Sequence, residues 1–218
     1  MTSHHPFSRR HFLTSGSALL ATGLTAGTLL AQSPALAQTQ AAAPKDPRLS
    51  PRIIGDAKAP VLVQEWFSLT CTHCAHFATD IFPQVKEQFI DTGKIRYQFH
   101  DFPLDQVAMI AAMVARSLPE ERYLPFISSL FSRQMQWAFS GGDPVAHLKQ
   151  EAALAGIAPD EFDRISKDMT FGQELYQLTQ QDGQTYDIKG TPYFRFNSTP
   201  FAQDPETVEK FAELVSKA

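Results

Sequence analysis

The stretch that decides the fold is "LTCTHCAHF", Leu69 to Phe77. It holds both cysteines of a 218-residue chain, three residues apart, with His73 between them and His76 just after. On a first helical turn, side chains at i and i+3 share a face, so the two sulfurs can bridge without large backbone movement. The same turn aims unsatisfied backbone N–H groups at Cys71, and these donors, with the positive end of the helix dipole, favour its thiolate. A stabilised thiolate is a good leaving group and makes the disulfide oxidising. His73, if protonated or donating a hydrogen bond, would act in the same direction.

Upstream, "VLVQEWF" from Val61 to Phe67 is β-branched and aromatic, which marks a buried strand, and it carries one anomalous acid, Glu65. Downstream, Phe77, Ile81, Val85 and Phe89 recur at four-residue steps, a helical stripe running from Cys71 to about Asp91 and ending near Gly93. Pro83 within it predicts a kink. A second strand at Ile95 to Asp101, "IRYQFHD", completes a strand, helix, strand unit whose length implies a right-handed parallel crossover. From Leu104 to about Tyr186 the pattern is helical, with Asp143-Pro144 starting and Gly156 stopping one of the helices. Strand character returns from Tyr193 to Phe196. "DPETVEKFAELVSKA" then closes the chain as an amphipathic helix capped by Asp204, with Pro205 in its first turn.

The N-terminus sets the compartment. "SRRHFLT", Ser8 to Thr14, places paired arginines ahead of the apolar run Ala18 to Ala31, and no acid occurs before Asp46. With glycines diluting the run and small residues at Ala35 and Ala37, this describes a cleavable export signal over 1–37, cut after about Ala37. A membrane anchor is the alternative, but the run is shorter than the about 20 residues that span a bilayer. "SRRHFL" resembles the twin-arginine export motif, and a generic secretory signal would lead to the same place, the oxidising periplasm. Removing 1–37 takes two arginines and no acid, leaving 17 basic residues against 23 acidic ones, a balance that speaks against a nucleic-acid partner. The polar, proline-punctuated segment 38–51 reads as a flexible leader. The residues beyond it are enough to bury a core without disulfide staples.

The cysteine pair has other readings. A structural zinc site needs four ligands, and although Cys71, Cys74 and His76 could supply some, a second Cys or His pair at metal spacing is absent. Two inert core cysteines would need neither the oxidising compartment nor the adjacent histidines. A purely structural disulfide across so short a loop would remove little unfolded-state entropy. A redox pair fits best.

A strand, Cys-x-x-Cys at a helix start, and a late "GTP", Gly190 to Pro192, ahead of a strand resemble the thioredoxin superfamily. "FSLTCTHCAHF" with a long helical insertion, and "FHDFPLD" from Phe99 to Asp105, resemble the DsbA-like periplasmic disulfide oxidoreductases within it. The similarity runs from about Gly55 to Ala218. It implies an α/β thioredoxin fold, built from 52–103 and 187–218, with a helical insertion domain, 104–186, between the second strand and the cis-proline strand. It also implies thiol–disulfide exchange with protein substrates: Cys71 as the exposed reacting sulfur, Cys74 as the buried resolving one, and His73 as the tuner between them. Glu65, six residues before Cys71, matches a buried acid that would accept and return the proton of Cys74; an edge-facing glutamate in water is the other reading. Thr191-Pro192 matches the cis-proline loop, which would present the Thr191 backbone to a substrate peptide, unless the bond is an ordinary trans turn. Thr72, inside the dipeptide, would meet the substrate beside it. His100 stands where the resemblance leads one to expect arginine.

Met109, Met113, Met135 and Trp137 fall on helical stripes and read as insertion core rather than as a peptide groove, and His76 and His147 as structural or solvated. The function expected is that of a monomeric dithiol oxidase needing no cofactor or metal, acting on protein or peptide thiols and reoxidised by a membrane quinone-linked partner. The rivals are a reductase or isomerase of the same fold, and a non-catalytic periplasmic binding or chaperone module. The intact cysteine pair argues against the last.

Overall fold

The computed structural model describes residues 46–218. The twin-arginine stretch, the cut after Ala37 and the leader up to residue 45 lie outside the described residues. Five strands form one sheet: β1 (Arg52–Ile54), β2 (Val61–Phe67), β3 (Ile95–Asp101), β4 (Tyr193–Phe196) and β5 (Thr199–Phe201), in the order β1-β3-β2-β4-β5. β2 and β3 are parallel and in register from Val61 opposite Ile95 to Phe67 opposite Asp101; the other pairs are antiparallel. The crossover between them carries α1 (Thr72–His76) and α2 (Phe82–Val85). Around Pro83 the helix widens into π-helical turns, Phe77–Ile81 before it and Lys86–Ile90 after it, so that Phe82 N–H reaches Phe77 O and Asp91 N–H reaches Lys86 O. Proline lacks the N–H an α-helix needs, and π-bulges are a usual way to absorb the break.

Six helices fill the chain between β3 and β4: α3 (Gln106–Ser117), α4 (Glu120–Ser132), α5 (Gln134–Trp137), α6 (Pro144–Leu154), α7 (Pro159–Ser166) and α8 (Met169–Tyr186). Asp143 caps α6 by accepting from Val145 N–H at 2.9 Å, and Gly156 follows its end at φ +85°, as the Asp-Pro and Gly signals predict. The last helix, α9 (Val208–Ser216), is capped by Thr207, which accepts from Lys210 N–H at 3.1 Å. The expected cap, Asp204, turns instead to Glu206 N–H and to His76. The helix therefore starts later than Asp204-Pro205 suggested, because that carboxylate is held by a partner 128 residues away.

Alternation along β3 buries Ile95, Tyr97, Phe99 and Asp101, while Arg96, Gln98 and His100 are half-buried on the other face. On β2 both faces are covered, which is why that strand shows no alternation in sequence. Val63 and Phe67 face the main core with Tyr97, Phe99, Phe77 and Phe82. Trp66 faces a smaller cluster with Tyr193 and Ile188, where its indole N–H donates to Asp182 on α8 at 2.7 Å and its ring stacks on His100 at 4.2 Å.

At the N-terminal side one element goes unread in the sequence and one expectation fails. β1 is a strand that no periodicity marks, three residues long and paired antiparallel with β3. Gly55 ends it at φ +96°, where a Cβ would meet Ile95 O at 2.9 Å. The last part of the leader, from Asp46 onward, is fastened rather than loose. Leu49 is buried, and Arg48 pairs with Asp46 and with Asp168 at 2.6 and 2.7 Å while lying 3.7 Å above the Phe171 ring. Arg116 donates to the carbonyls of Arg48 and Ser50. The tie is made by residues far along the chain, which composition does not see.

Candidate active site

The parallel β2–β3 pair delivers "LTCTHCAHF" to the end of β2, where Cys71 is the N-cap of α1. Its Sγ accepts from Cys74 N–H at 3.1 Å and, as a thiol, donates to Thr191 O at 3.3 Å. Cys71 is 8 % exposed and Cys74 0 %, and both are free thiols. The two sulfurs titrate in opposite directions. Interaction with the Cys74 thiol first, then with Thr191, and then with the backbone N–H groups of Cys74 and His73, brings Cys71 down to about 6 against the cost of burial. Burial first, then the neighbouring Cys71, pushes Cys74 well above the ordinary thiol range.

Glu65 lies on the core face of β2 and is 3 % exposed, so the edge-facing reading fails. Burial, reinforced by the charges of Cys71 and Asp204, raises it to about 8, although Tyr97 O–H donates to its Oε2 at 2.7 Å and opposes the shift. Its Oε1 is buried without a partner. A carboxyl neutral near pH 7, on the sheet face that packs into the same core as a buried thiol of raised pKa, has the chemistry to exchange a proton with such a thiol.

The Thr191-Pro192 bond is cis, and Pro192 is buried beside the cysteine turn. A cleft of about 420 Å³ opens here, lined by His73, Thr191, Pro192, Lys189, Asp204 and Glu206 among others. Thr72 and His73 are exposed on the outer side of the turn. The His73 imidazole hydrogen-bonds to neither sulfur; its backbone N–H faces Cys71 instead. His73 thus acts on the thiolate through its position in the turn.

Sequence reasoning missed three residues of the surroundings. Gln134, buried at the start of α5, donates through Nε2 to Leu69 O at 2.9 Å and to Cys71 O at 3.0 Å. Asp105 accepts from the Thr70 hydroxyl at 2.5 Å while capping α3 through Ala108 N–H. Tyr97 holds Glu65. Tyr97 was within reach of a parity argument, since "IRYQFHD" puts it on the same face as Phe99, opposite Glu65 in register. No pattern announces Gln134.

Of the residues assigned to the helical core, Met113 and Trp137 are buried and Met109 is half-buried, but Met135 is 65 % exposed on α5, next to Gln134. The short α5 spends its inward positions on Gln134 and Trp137, leaving Met135 outside. His76 pairs with Asp204 at 2.6 Å, an interaction that raises its pKa, and His147 lies 3.3 Å from Trp137 O. His100, in place of the expected arginine, still meets an acid: Nδ1 is 3.3 Å from Asp182, on the sheet face that carries Trp66. Among the described residues, no group of three or more His, Cys, Asp or Glu is arranged to hold a metal ion.

A parallel βαβ unit with a dithiol at the helix N-terminus, a cis-proline loop against it and an acid beneath it defines a thioredoxin-like protein. A family model described as Thioredoxin matches residues 48–217, and the chain belongs to that family. It is similar to a protein of Rickettsia prowazekii named as a protein-disulfide oxidoreductase, 29 % identical over 167 residues, which are 76 % of this chain and 60 % of the relative. The chain therefore spans about three fifths of that relative's length. Among solved structures it resembles α-DsbA1 of Wolbachia pipientis, with a TM-score of 0.70 and 28 % identity over 78 % of this chain and 90 % of that one. It also shares its fold with a protein-disulfide isomerase of Novosphingobium aromaticivorans, with a TM-score of 0.65 and 22 % identity over 75 % of this chain and 97 % of that one. The fold is DsbA-like.

Proposed function

We propose that the protein is a DsbA-type thiol:disulfide oxidoreductase that works as a dithiol oxidase on exported proteins in the periplasm, reached through its twin-arginine signal. The observation that carries this reading is the asymmetry of the pair: Cys71, the N-cap of α1 and largely buried rather than exposed as expected, has its pKa brought down to about 6, and Cys74, fully enclosed, has its pKa raised. Stabilising the Cys71 thiolate stabilises the reduced state, so the disulfide is a strong oxidant.

A substrate thiolate attacks Cys71 Sγ of the oxidised pair, the Cys71–Cys74 bond breaks, and Cys74 leaves with the electron pair and takes a proton from Glu65. A second substrate thiolate then attacks the substrate sulfur of the mixed disulfide. The substrate disulfide forms, and Cys71 departs as its favoured thiolate. The substrate loses two electrons and the cysteine pair gains them. The Thr191 carbonyl, within 3.3 Å of Cys71 Sγ, lies where a substrate backbone pairs strand-wise, with Pro192 fixing the loop and Thr72 beside the incoming peptide. The protein works as a monomer without cofactor, and a membrane quinone-linked partner restores the disulfide.

Cys71→Ser abolishes exchange with a dithiol peptide, and full activity in that variant would overturn the reading. The reduction potential of Cys71–Cys74 decides the direction. An oxidase lies far above thioredoxin's value of about −270 mV, and a result near that value assigns a reductase instead.

A further inference from the structure

Tyr97 is buried with its hydroxyl committed to one oxygen of Glu65, and the other oxygen of the same carboxyl is sealed from solvent with no partner at all. We propose that Tyr97 is a positioning residue for the proton transfer at Cys74: by donating to Oε2 it assigns the exchangeable proton of the Glu65 carboxyl to Oε1. This rests on the dithiol chemistry proposed above and deepens it.

The geometry leaves Tyr97 little choice. Its ring is wedged between Phe82 and Phe99, at centroid distances of 5.2 and 5.0 Å, so the hydroxyl cannot swing to another acceptor without repacking. A carboxylic acid has one carbonyl oxygen and one hydroxyl, and the carbonyl is the better acceptor. A donor fixed on Oε2 makes that atom the carbonyl, and the acid proton then sits on Oε1. The ionisable groups acting on Glu65 are Tyr97 from β3, Cys71 at the start of α1, and Asp204 from the segment after β5, with Cys74 acting on the adjoining Tyr97, while β4 places Phe194 opposite Glu65. Of these, only Tyr97 favours the carboxylate.

In the forward step the Cys71–Cys74 bond breaks, Cys74 departs as thiolate, and the proton on Oε1 moves to it. The resulting carboxylate is held by the same Tyr97 hydrogen bond, which strengthens as charge develops. When the pair is reoxidised, Cys74 passes its proton to Oε1 of the fraction of Glu65 that is ionised, the rest having first released its own proton to solvent. Tyr97 never touches the sulfur chemistry and itself gives up no proton.

Tyr97→Phe keeps the ring and removes the donor. Read by the infrared carboxyl band that Glu65→Gln abolishes, the titration midpoint of Glu65 should rise by about one pH unit, a roughly tenfold loss of carboxylate at a given pH below it. The pH profile of exchange should move with it. In a Glu65→Gln background, Tyr97→Phe should add no shift to that profile. A fluorinated tyrosine incorporated at position 97 donates more strongly and should lower the midpoint, a change opposite in sign that a packing role would not produce and that stays readable if Tyr97→Phe folds poorly. An infrared midpoint unmoved by either change, or an equal shift of the profile without Glu65, overturns the proposal. If the unaltered protein exchanges no disulfides, the oxidase reading fails, while the infrared midpoint still judges Tyr97.

Discussion

Glu65 makes the protein less stable at neutral pH than its fold would otherwise be, and replacing it should show by how much. Its pKa rises from 4.5 to about 8 on folding, first because it is buried. Below 4.5 both states hold the proton and no penalty exists. Between there and about 8 the unfolded chain releases it and the folded one does not, so stability falls by about 1.4 kcal/mol for each pH unit and levels off above. At pH 7.5 the accumulated cost is on the order of 4 kcal/mol. Glu65→Gln cannot ionise and escapes it. The new amide N–H₂ meets the unpartnered environment of Oε1, an offset of about 1–3 kcal/mol that is independent of pH. The slope therefore isolates the carboxyl. Urea unfolding of both reduced proteins at several pH values should give a stability difference, variant minus parent, that climbs from acid to about pH 8. Cys71 and Cys74 titrate in both proteins and largely cancel in the difference. Parallel curves, with a gap that does not change with pH, would refute a buried carboxyl of raised pKa.

Three further outcomes are expected. Alkylation of Cys71 by iodoacetamide should rise with pH around a midpoint of about 6, and the reduced form should gain stability from this group as pH climbs from about 6 to 9.0; a midpoint in the ordinary range of about 8.5 would contradict the thiolate assignment. Gln134→Ala strands the buried carbonyl of Leu69, while Cys71 O keeps its bond from Ala75 N–H, and should cost about 1–3 kcal/mol in chemical denaturation while slowing exchange; an unchanged midpoint would mean water replaces the amide. Arg116→Met leaves Asp101 buried without its cation and should cost about 3–5 kcal/mol at neutral pH. The same change frees the Arg48 and Ser50 carbonyls, so limited proteolysis should cut the Pro47–Leu49 turn sooner than in the parent; equal cleavage rates would deny that tie.

The elements legible in the sequence are those whose order is local. β2 is read from its unbroken β-branched and aromatic run, β3 and the helix that joins them from their apolar residues and period, and the Asp143 and Gly156 signals bound α6 as they should. β1 is too short for any period, and its pairing with β3 depends on residues some 45 positions on. The cysteine pair, Glu65 and the Thr191-Pro192 loop were visible because their chemistry is unusual for their positions. Asp204, Met135, Gln134 and Tyr97 were misplaced or missed for one reason. Each takes its role from a partner or a solvent boundary set by tertiary packing, and an amide or a phenol in an apolar run looks the same whether or not such a partner exists.

Three side chains from the stretch between β3 and β4 hold the neighbourhood of the sulfurs: Asp105 grips Thr70, Gln134 the carbonyls of Leu69 and Cys71, and Asp182 the indole of Trp66. Cutting the chain back to a bare sheet and crossover would delete all three at once. A minimal version of this protein would keep both sulfurs and lose the frame that sets their spacing. For the same reason, grafting "CTHC" onto a smaller relative transfers the letters without the scaffold that gives those two residues between the cysteines their meaning.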